Sequence, residues 1–216
     1  MPVTKMAFSL LVGVLLGWHE LALARRPTSE PYQGDLAIFE DADRAQKLQI
    51  DRVMDLLGIR RGVHVGDIGA GSGWFTVRSA RRVGNEGIVY AIEINPEYVR
   101  HIKRRAKRAK LSNIRTVLGK PDDPMLPPAS IEVAFLLKTY HEIAQPIAFL
   151  RRLRAALRPG ARLGIIDKKG KGDDHGVNAD VVIKEAAQAG FTLVAQHGFV
   201  KGDSVDYFLI FQTRGN

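Results

Sequence analysis

The residues that could do chemistry gather first around a run of glycines. Gly69, Gly71 and Gly73 alternate with other residues, and Asp67 stands two positions before the first of them. Glycine lets a backbone turn sharply and lets a ligand lie close to bare peptide. Val63, Val65 and Ile68 supply the β-branched content of a central strand. Trp74 to Arg82 reads as a helix whose first N–H groups point back at the turn. A nucleotide-like ligand fits such a place. The spacing is not the Gly-x-Gly-x-x-Gly of the dinucleotide fingerprint. A pyrophosphate has no use for the carboxylate of Asp67, whereas a ligand carrying an ammonium and a sulfonium does.

A second acid stands in register with the first. The apolar run 87–94 carries Glu93, 20 residues after Gly73. A carboxylate at the tip of a second strand sits beside the ribose of a ligand bound on the first loop and can accept from both hydroxyls. Further along, the strand 131–137 ends in Lys138-Thr139-Tyr140-His141-Glu142. Residues beyond the carboxyl end of such a strand line the ligand crevice. His141 is the candidate general base, and Tyr140 a candidate to shape the pocket. Asp167 ends the strand 161–167 and faces the same crevice from its far side. Asp173, Asp174 and His175 share one polar turn and read as solvated, with no metal site expected. The chain has no cysteine, which excludes disulfides, thiolate metal centres and a cysteine nucleophile.

These groups must be positioned by alternating strands and helices. The sequence predicts a helix from Asp41 to about Leu57, stopped by Gly58, whose Gln46, Gln49 and Arg52 could face the site. It predicts further helices opened by Asn95-Pro96 and Pro146, the latter stopped by Pro159-Gly160, and one from Ala179 to Ala189. Strands are predicted at 113–118, 131–137 and 161–167, and the chain closes on a pair, 191–199 and 204–212, joined tightly enough to be antiparallel. Length and composition suit one domain with a sizeable core: 216 residues, 45% hydrophobic and 25% charged.

The acid-x-Gly-x-Gly-x-Gly run at 67–73, Glu93 and the terminal hairpin together resemble the class I S-adenosylmethionine-dependent methyltransferases. The resemblance covers about Phe39 to Gln212 and is nearest to small-molecule enzymes of the ubiquinone/menaquinone-biosynthesis type and to exported bacterial methyltransferase-like proteins. It implies an α/β fold: a Rossmann-like, doubly wound seven-stranded sheet, mostly parallel, with a terminal antiparallel hairpin. It implies S-adenosylmethionine as cofactor, held by Asp67, Gly69, Ala70, Gly71, Gly73, Glu93 and Ile94, with Lys138 after the fourth strand. An acid in the loop after the third strand would accept from the adenine amine, and Asp122 and Asp123 are the candidates, Asp122 preferred. Lys120 departs from the commoner pattern, in which an acid follows Gly119.

The formal net charge is +9. Much of it lies on the helix 96–110, whose outer face carries Arg100, Lys103, Arg104, Arg105, Lys107, Arg108 and Lys110. That face reads as solvated; RNA or protein methylation through it is the alternative to a small-molecule acceptor, and a non-catalytic cofactor-fold protein of the cell envelope is another. Residues 1–24 read as a cleaved signal peptide, with Lys5, an apolar run from Met6 to Trp18 and Ala22-Leu23-Ala24. Residues 25–38 read as a linker or mobile arm, and 39–216 as the methyltransferase domain. The exported protein would then keep no membrane span.

Overall fold

The computed structural model describes residues 26–213, so the expected signal peptide lies outside the described residues. Seven strands form one sheet: β1 (Val65–Ile68), β2 (Val89–Glu93), β3 (Ile114–Leu118), β4 (Ile131–Leu137), β5 (Leu157–Lys168), β6 (Phe191–His197) and β7 (Asp206–Thr213). Their order is β3-β2-β1-β4-β5-β7-β6, and β7 runs antiparallel to both neighbours. The remaining pairings are parallel. The helices are α1 (Arg44–Lys47), α2 (Ile50–Leu57), α3 (Trp74–Val83), α4 (Pro96–Arg108), α5 (Pro146–Ala156) and α6 (Ala179–Gln188). This is the seven-stranded α/β architecture that the sequence predicts. The order reverses direction beside β1, where β2 leaves on one side and β4 on the other, so the carboxyl ends of these strands open on a crevice.

Two apolar layers clamp the sheet. One gathers Ile92, Leu136, Leu150, Leu153, Leu163 and Phe191. The other gathers Val53, Leu57, Phe75, Val83, Phe135 and Phe208. Phe135 on β4 is fully enclosed and packs on Phe75, with ring centroids 4.4 Å apart, and on Phe208 at 6.5 Å. β5 passes close over α2 at Gly164, where a Cβ would come within 2.7 Å of Leu57 and 3.0 Å of Phe135.

Three local expectations are corrected. The single helix expected from Asp41 to Leu57 is broken: Gln49 takes a left-handed φ of 48°, and its amide nitrogen donates to the Phe199 carbonyl. Arg52 lies over the Phe199 ring, so Gln49 and Arg52 face the loop between β6 and β7 rather than the crevice. Leu157, expected on the helix opened by Pro146, already belongs to β5 and pairs with Ile131, because strand pairing begins before Pro159-Gly160.

The third concerns the expected linker, which is docked. Arg26 pairs with Glu185 on α6 at 3.0 Å and donates to the Tyr140 carbonyl. Ser29 N donates to His141 O, and Ser29 Oγ donates to Gly172 O. Tyr32 N donates to Glu142 Oε1, and Tyr98 Oη donates to Gly34 O. A segment rich in Pro, Ser and Gly cannot pack by its own periodicity, but its polar backbone is satisfied across the mouth of the crevice. Among the described residues, no helix is long and apolar enough to cross a membrane.

Phe135→Ala is expected to cost about 3–5 kcal/mol of stability by leaving a cavity under both aromatic partners. Urea unfolding of the variant against the parent protein measures it; a loss below about 1 kcal/mol would mean that the core refills around the missing ring.

Candidate cofactor and acceptor crevice

The glycine turn is held by the strand it faces. Gly69 N and Ala70 N both donate to Ile92 O, at 2.9 and 3.0 Å. Gly71 N donates to Glu93 Oε1 at 2.6 Å. Gly69 and Gly71 have φ of 68° and 54°, where a side chain is strained. At Gly69 a Cβ would also meet Thr139 within 2.4 Å. The β4 tip is therefore pressed against the turn, and only glycine fits between them.

Asp67 is fully buried, and its Oδ2 accepts from Thr76 Oγ1 at 2.5 Å. Burial, with the nearby Glu93 charge, pushes its carboxyl up to about 7, against the opposing pull of the Thr76 hydrogen bond and of Arg44. Glu93 is raised as well by burial, in spite of the backbone N–H groups of Gly71 and Ile94 on its oxygens. Each carboxylate keeps lone pairs beyond those bonds. Ile94 is 38% exposed, an apolar surface beside Glu93 that a purine ring would cover.

The crevice encloses about 690 Å³. Of the residues expected to hold the cofactor, Asp67, Gly69, Ala70, Gly71, Glu93, Ile94 and Lys138 line it. Gly73 does not; it starts α3 in a left-handed conformation behind the turn. Lys138 turns its ammonium away to pair with Asp206, and burial lowers its pKa.

The other expected residues are placed elsewhere. Asp122 points outward into an ion pair with Arg152, which holds its carboxyl below the usual range, and Asp123 accepts from Met125 N. Neither lines the crevice, where Lys120 and Pro121 stand instead. Tyr140 is buried away from it, donating to Glu185 Oε2 at 2.8 Å. His141 and Asp167, expected to face the crevice from opposite sides, instead pair with each other, Nδ1 at 2.9 Å from Asp167 Oδ1, and are buried behind the crevice wall.

Two lining groups escaped sequence reasoning. Arg44 stacks between Trp74 and Phe39, at 4.6 and 5.3 Å from their ring centroids, and donates to Phe39 O. Its only sequence signal is a position on the helix before β1. Glu142 lines the crevice beside the arm, and burial raises its carboxyl to about 7. It was visible as the neighbour of His141 but carries no motif of its own.

The donor set suits S-adenosylmethionine. Asp67 and Arg44 complement an ammonium and a carboxylate, Glu93 a pair of ribose hydroxyls, and Ile94 a purine. Kinship agrees. Residues 65–160 match the model of a methyltransferase domain. A protein-L-isoaspartate O-methyltransferase of Methanothrix thermoacetophila is 32% identical over 51% of this chain and 50% of its own length. A ubiquinone/menaquinone biosynthesis C-methyltransferase of Idiomarina loihiensis is 28% identical over 53% of this chain and 46% of its own. The chain thus spans about half the length of the curated relatives it matches. A solved S-adenosylmethionine-dependent methyltransferase of Aquifex aeolicus superposes with a TM-score of 0.76 over 84% of this chain and all of its own, at 23% identity, and shares the fold. Residues 65–160 are thus similar to a methyltransferase domain, and the chain shares the fold of solved S-adenosylmethionine-dependent methyltransferases.

Replacing Thr76 by Val removes the hydrogen bond that holds down the Asp67 carboxyl. The Asp67 midpoint is expected to rise above about 7. Carboxyl-carbon NMR titration of aspartate-labelled protein reads it; an unmoved midpoint would mean that the hydroxyl has no hold on the acid.

Proposed function

We propose that the protein transfers a methyl group from S-adenosylmethionine to a small-molecule acceptor bound in the same crevice. The observation that carries this reading is the pair of buried acids, Asp67 and Glu93, on neighbouring parallel strands beside a glycine turn that one of them holds. When bound, the cofactor supplies an already activated methyl sulfonium, so the protein's share of the work is positioning. Asp67 and Arg44 would hold the amino-acid end, Glu93 the ribose, and Ile94 the adenine face. The turn amides of Gly69, Ala70 and Gly71 are already committed to Ile92 and Glu93, which fixes the surface the ligand meets.

The acceptor side supports a small molecule. Thr28 to Gln33 and Phe39 wall the mouth, and Tyr98, Trp74, Phe75 and Phe149 add aromatic surface. A compact, partly apolar acceptor fills such a space, while a folded macromolecule would have to displace the arm.

Two binding measurements on the full chain test the reading. Glu93→Ala is expected to abolish calorimetrically detected binding of S-adenosylmethionine and S-adenosylhomocysteine, with NAD bound by neither protein; absence of binding to the folded parent chain would overturn the proposal. The second uses pH. The ligand's cationic end favours ionised Asp67, whose carboxyl titrates near about 7. Ionisation is more complete at higher pH, so affinity is expected to strengthen about tenfold from pH 6 to pH 8, with proton release. A dissociation constant flat over that range would remove Asp67 from the binding reaction.

A further inference from the structure

We propose that Glu142, positioned by the buried His141–Asp167 pair, takes the proton from an O–H or N–H acceptor in the crevice. The inference rests on the methyl-transfer reading and deepens it, because it assigns the acceptor's chemical class.

The geometry runs inward in three steps. Glu142 lines the crevice, and its Oε1 accepts from Tyr32 N of the arm at 3.3 Å. The same oxygen stands 3.9 Å from His141 Nε2. The opposite ring nitrogen, Nδ1, lies 2.9 and 3.1 Å from the two oxygens of Asp167, which also accepts from His141 N at 3.1 Å. Asp167 is thus gripped on both oxygens, fixes the imidazole plane, and leaves Nε2 aimed at Glu142. Ser29 N closes the arm over the His141 carbonyl, and the His141–Asp167 pair is buried behind Glu142.

A structural role alone does not account for the order of groups. A buried His–Asp pair is self-sufficient, yet here it backs a third titratable group that faces the ligand space. Burial, Glu93 and Asp167 raise the Glu142 carboxyl toward neutrality, while His141 and the Tyr32 N–H lower it. Tyr98 and His175 are the other titratable side chains close by, Tyr98 sensing the Glu142 charge and His175 packing edge-on against His141 at 5.8 Å.

The step balances without a further reagent. The acceptor's lone pair forms the bond to the methyl carbon, and the pair of the breaking S–C bond stays on sulfur as a neutral thioether. The acceptor's proton moves to a Glu142 oxygen, and His141, 3.9 Å away and held on Asp167, positions that carboxyl without taking the proton itself. Glu142 is the catalytic residue in this scheme, and His141 and Asp167 are positioning residues. A carbon acceptor without an acidic proton, or one already ionised, has no need of it.

The experiment uses the full chain bound to S-adenosylhomocysteine. Carboxyl-carbon NMR of glutamate-labelled protein is expected to show one glutamate titrating near about 7, absent in Glu142→Gln. In His141→Gln its midpoint moves upward by about one pH unit, since a positive neighbour at this range depresses a carboxyl by about that much. Methyl transfer to phenol, which must lose a proton, falls about 100-fold in Glu142→Gln, whereas transfer to thiophenol, ionised at neutral pH, stays within about threefold. Equal losses on both acceptors, or a glutamate midpoint indifferent to His141→Gln, would overturn the proposal. S-adenosylhomocysteine affinity unchanged in both variants keeps the cofactor reading intact whichever way the Glu142 proposal falls.

Discussion

Everything at the working end of this fold depends on one charge-assisted hydrogen bond, from Gly71 N to Glu93. It ties the tip of β2 to the turn after β1 and shapes the turn around an acid. Parallel pairing aligns Asp67 with Ala91 and Ile68 with Ile92, so Glu93 falls one residue beyond the last β1 pair, level with the glycines. The left-handed backbone at Gly69 and Gly71 follows from bringing those amides round to Ile92 and Glu93. Thr139 then closes on the space where a Gly69 side chain would stand. The turn, both acids and the β4 tip thereby form one unit.

That unit is strained electrically. Asp67 sits fully buried beside Glu93, and keeping it ionised at neutral pH costs on the order of 4 kcal/mol relative to water. Thr76, and Arg44 from its stack between Phe39 and Trp74, have already offset part of the cost of burial within that figure. The remainder is available to a ligand that brings positive charge. A site with this imbalance binds a cation more tightly than a neutral analogue of the same shape.

The sequence made the strand tips legible and the side-chain directions illegible. Strand order, the glycine turn and the spacing to Glu93 follow from local pattern, because turn chemistry and β-branched runs act over a few residues. Asp122 shows where that ends. Its place in the loop after β3 suits an adenine contact, but Arg152, thirty residues on, draws the carboxylate outward. The arm shows it again: nothing periodic in residues 26–34 announces docking, and its partners Glu185, His141, Gly172 and Tyr98 are scattered along the chain. Tyr140 and His141 were equally plausible pocket residues as neighbours, and the short 3-10 turn at Tyr140–Glu142 decided between them by giving the crevice to Glu142.

The charge of the crevice argues against the commonest other ligands of this architecture. The protein carries +9 overall, and a phosphate-bearing cofactor would be drawn to such a chain. Yet the crevice itself is lined by Glu30, Asp67, Glu93 and Glu142 against Arg44, Lys120 and Lys138. Lys138 is committed to Asp206, and burial draws Arg44 below its ordinary value while Glu40 and Asp67 act to hold its charge. Most basic residues lie outside the crevice, several of them on α4, where Arg100 pairs with Glu97 and Arg105 with Glu40. A pyrophosphate entering here would meet two buried acids at the one turn where a dinucleotide domain offers free amides. The amides of Gly69, Ala70 and Gly71 are all spent on Ile92 and Glu93. The lining therefore favours, by sign as well as by shape, a ligand that brings positive charge over one that brings phosphate.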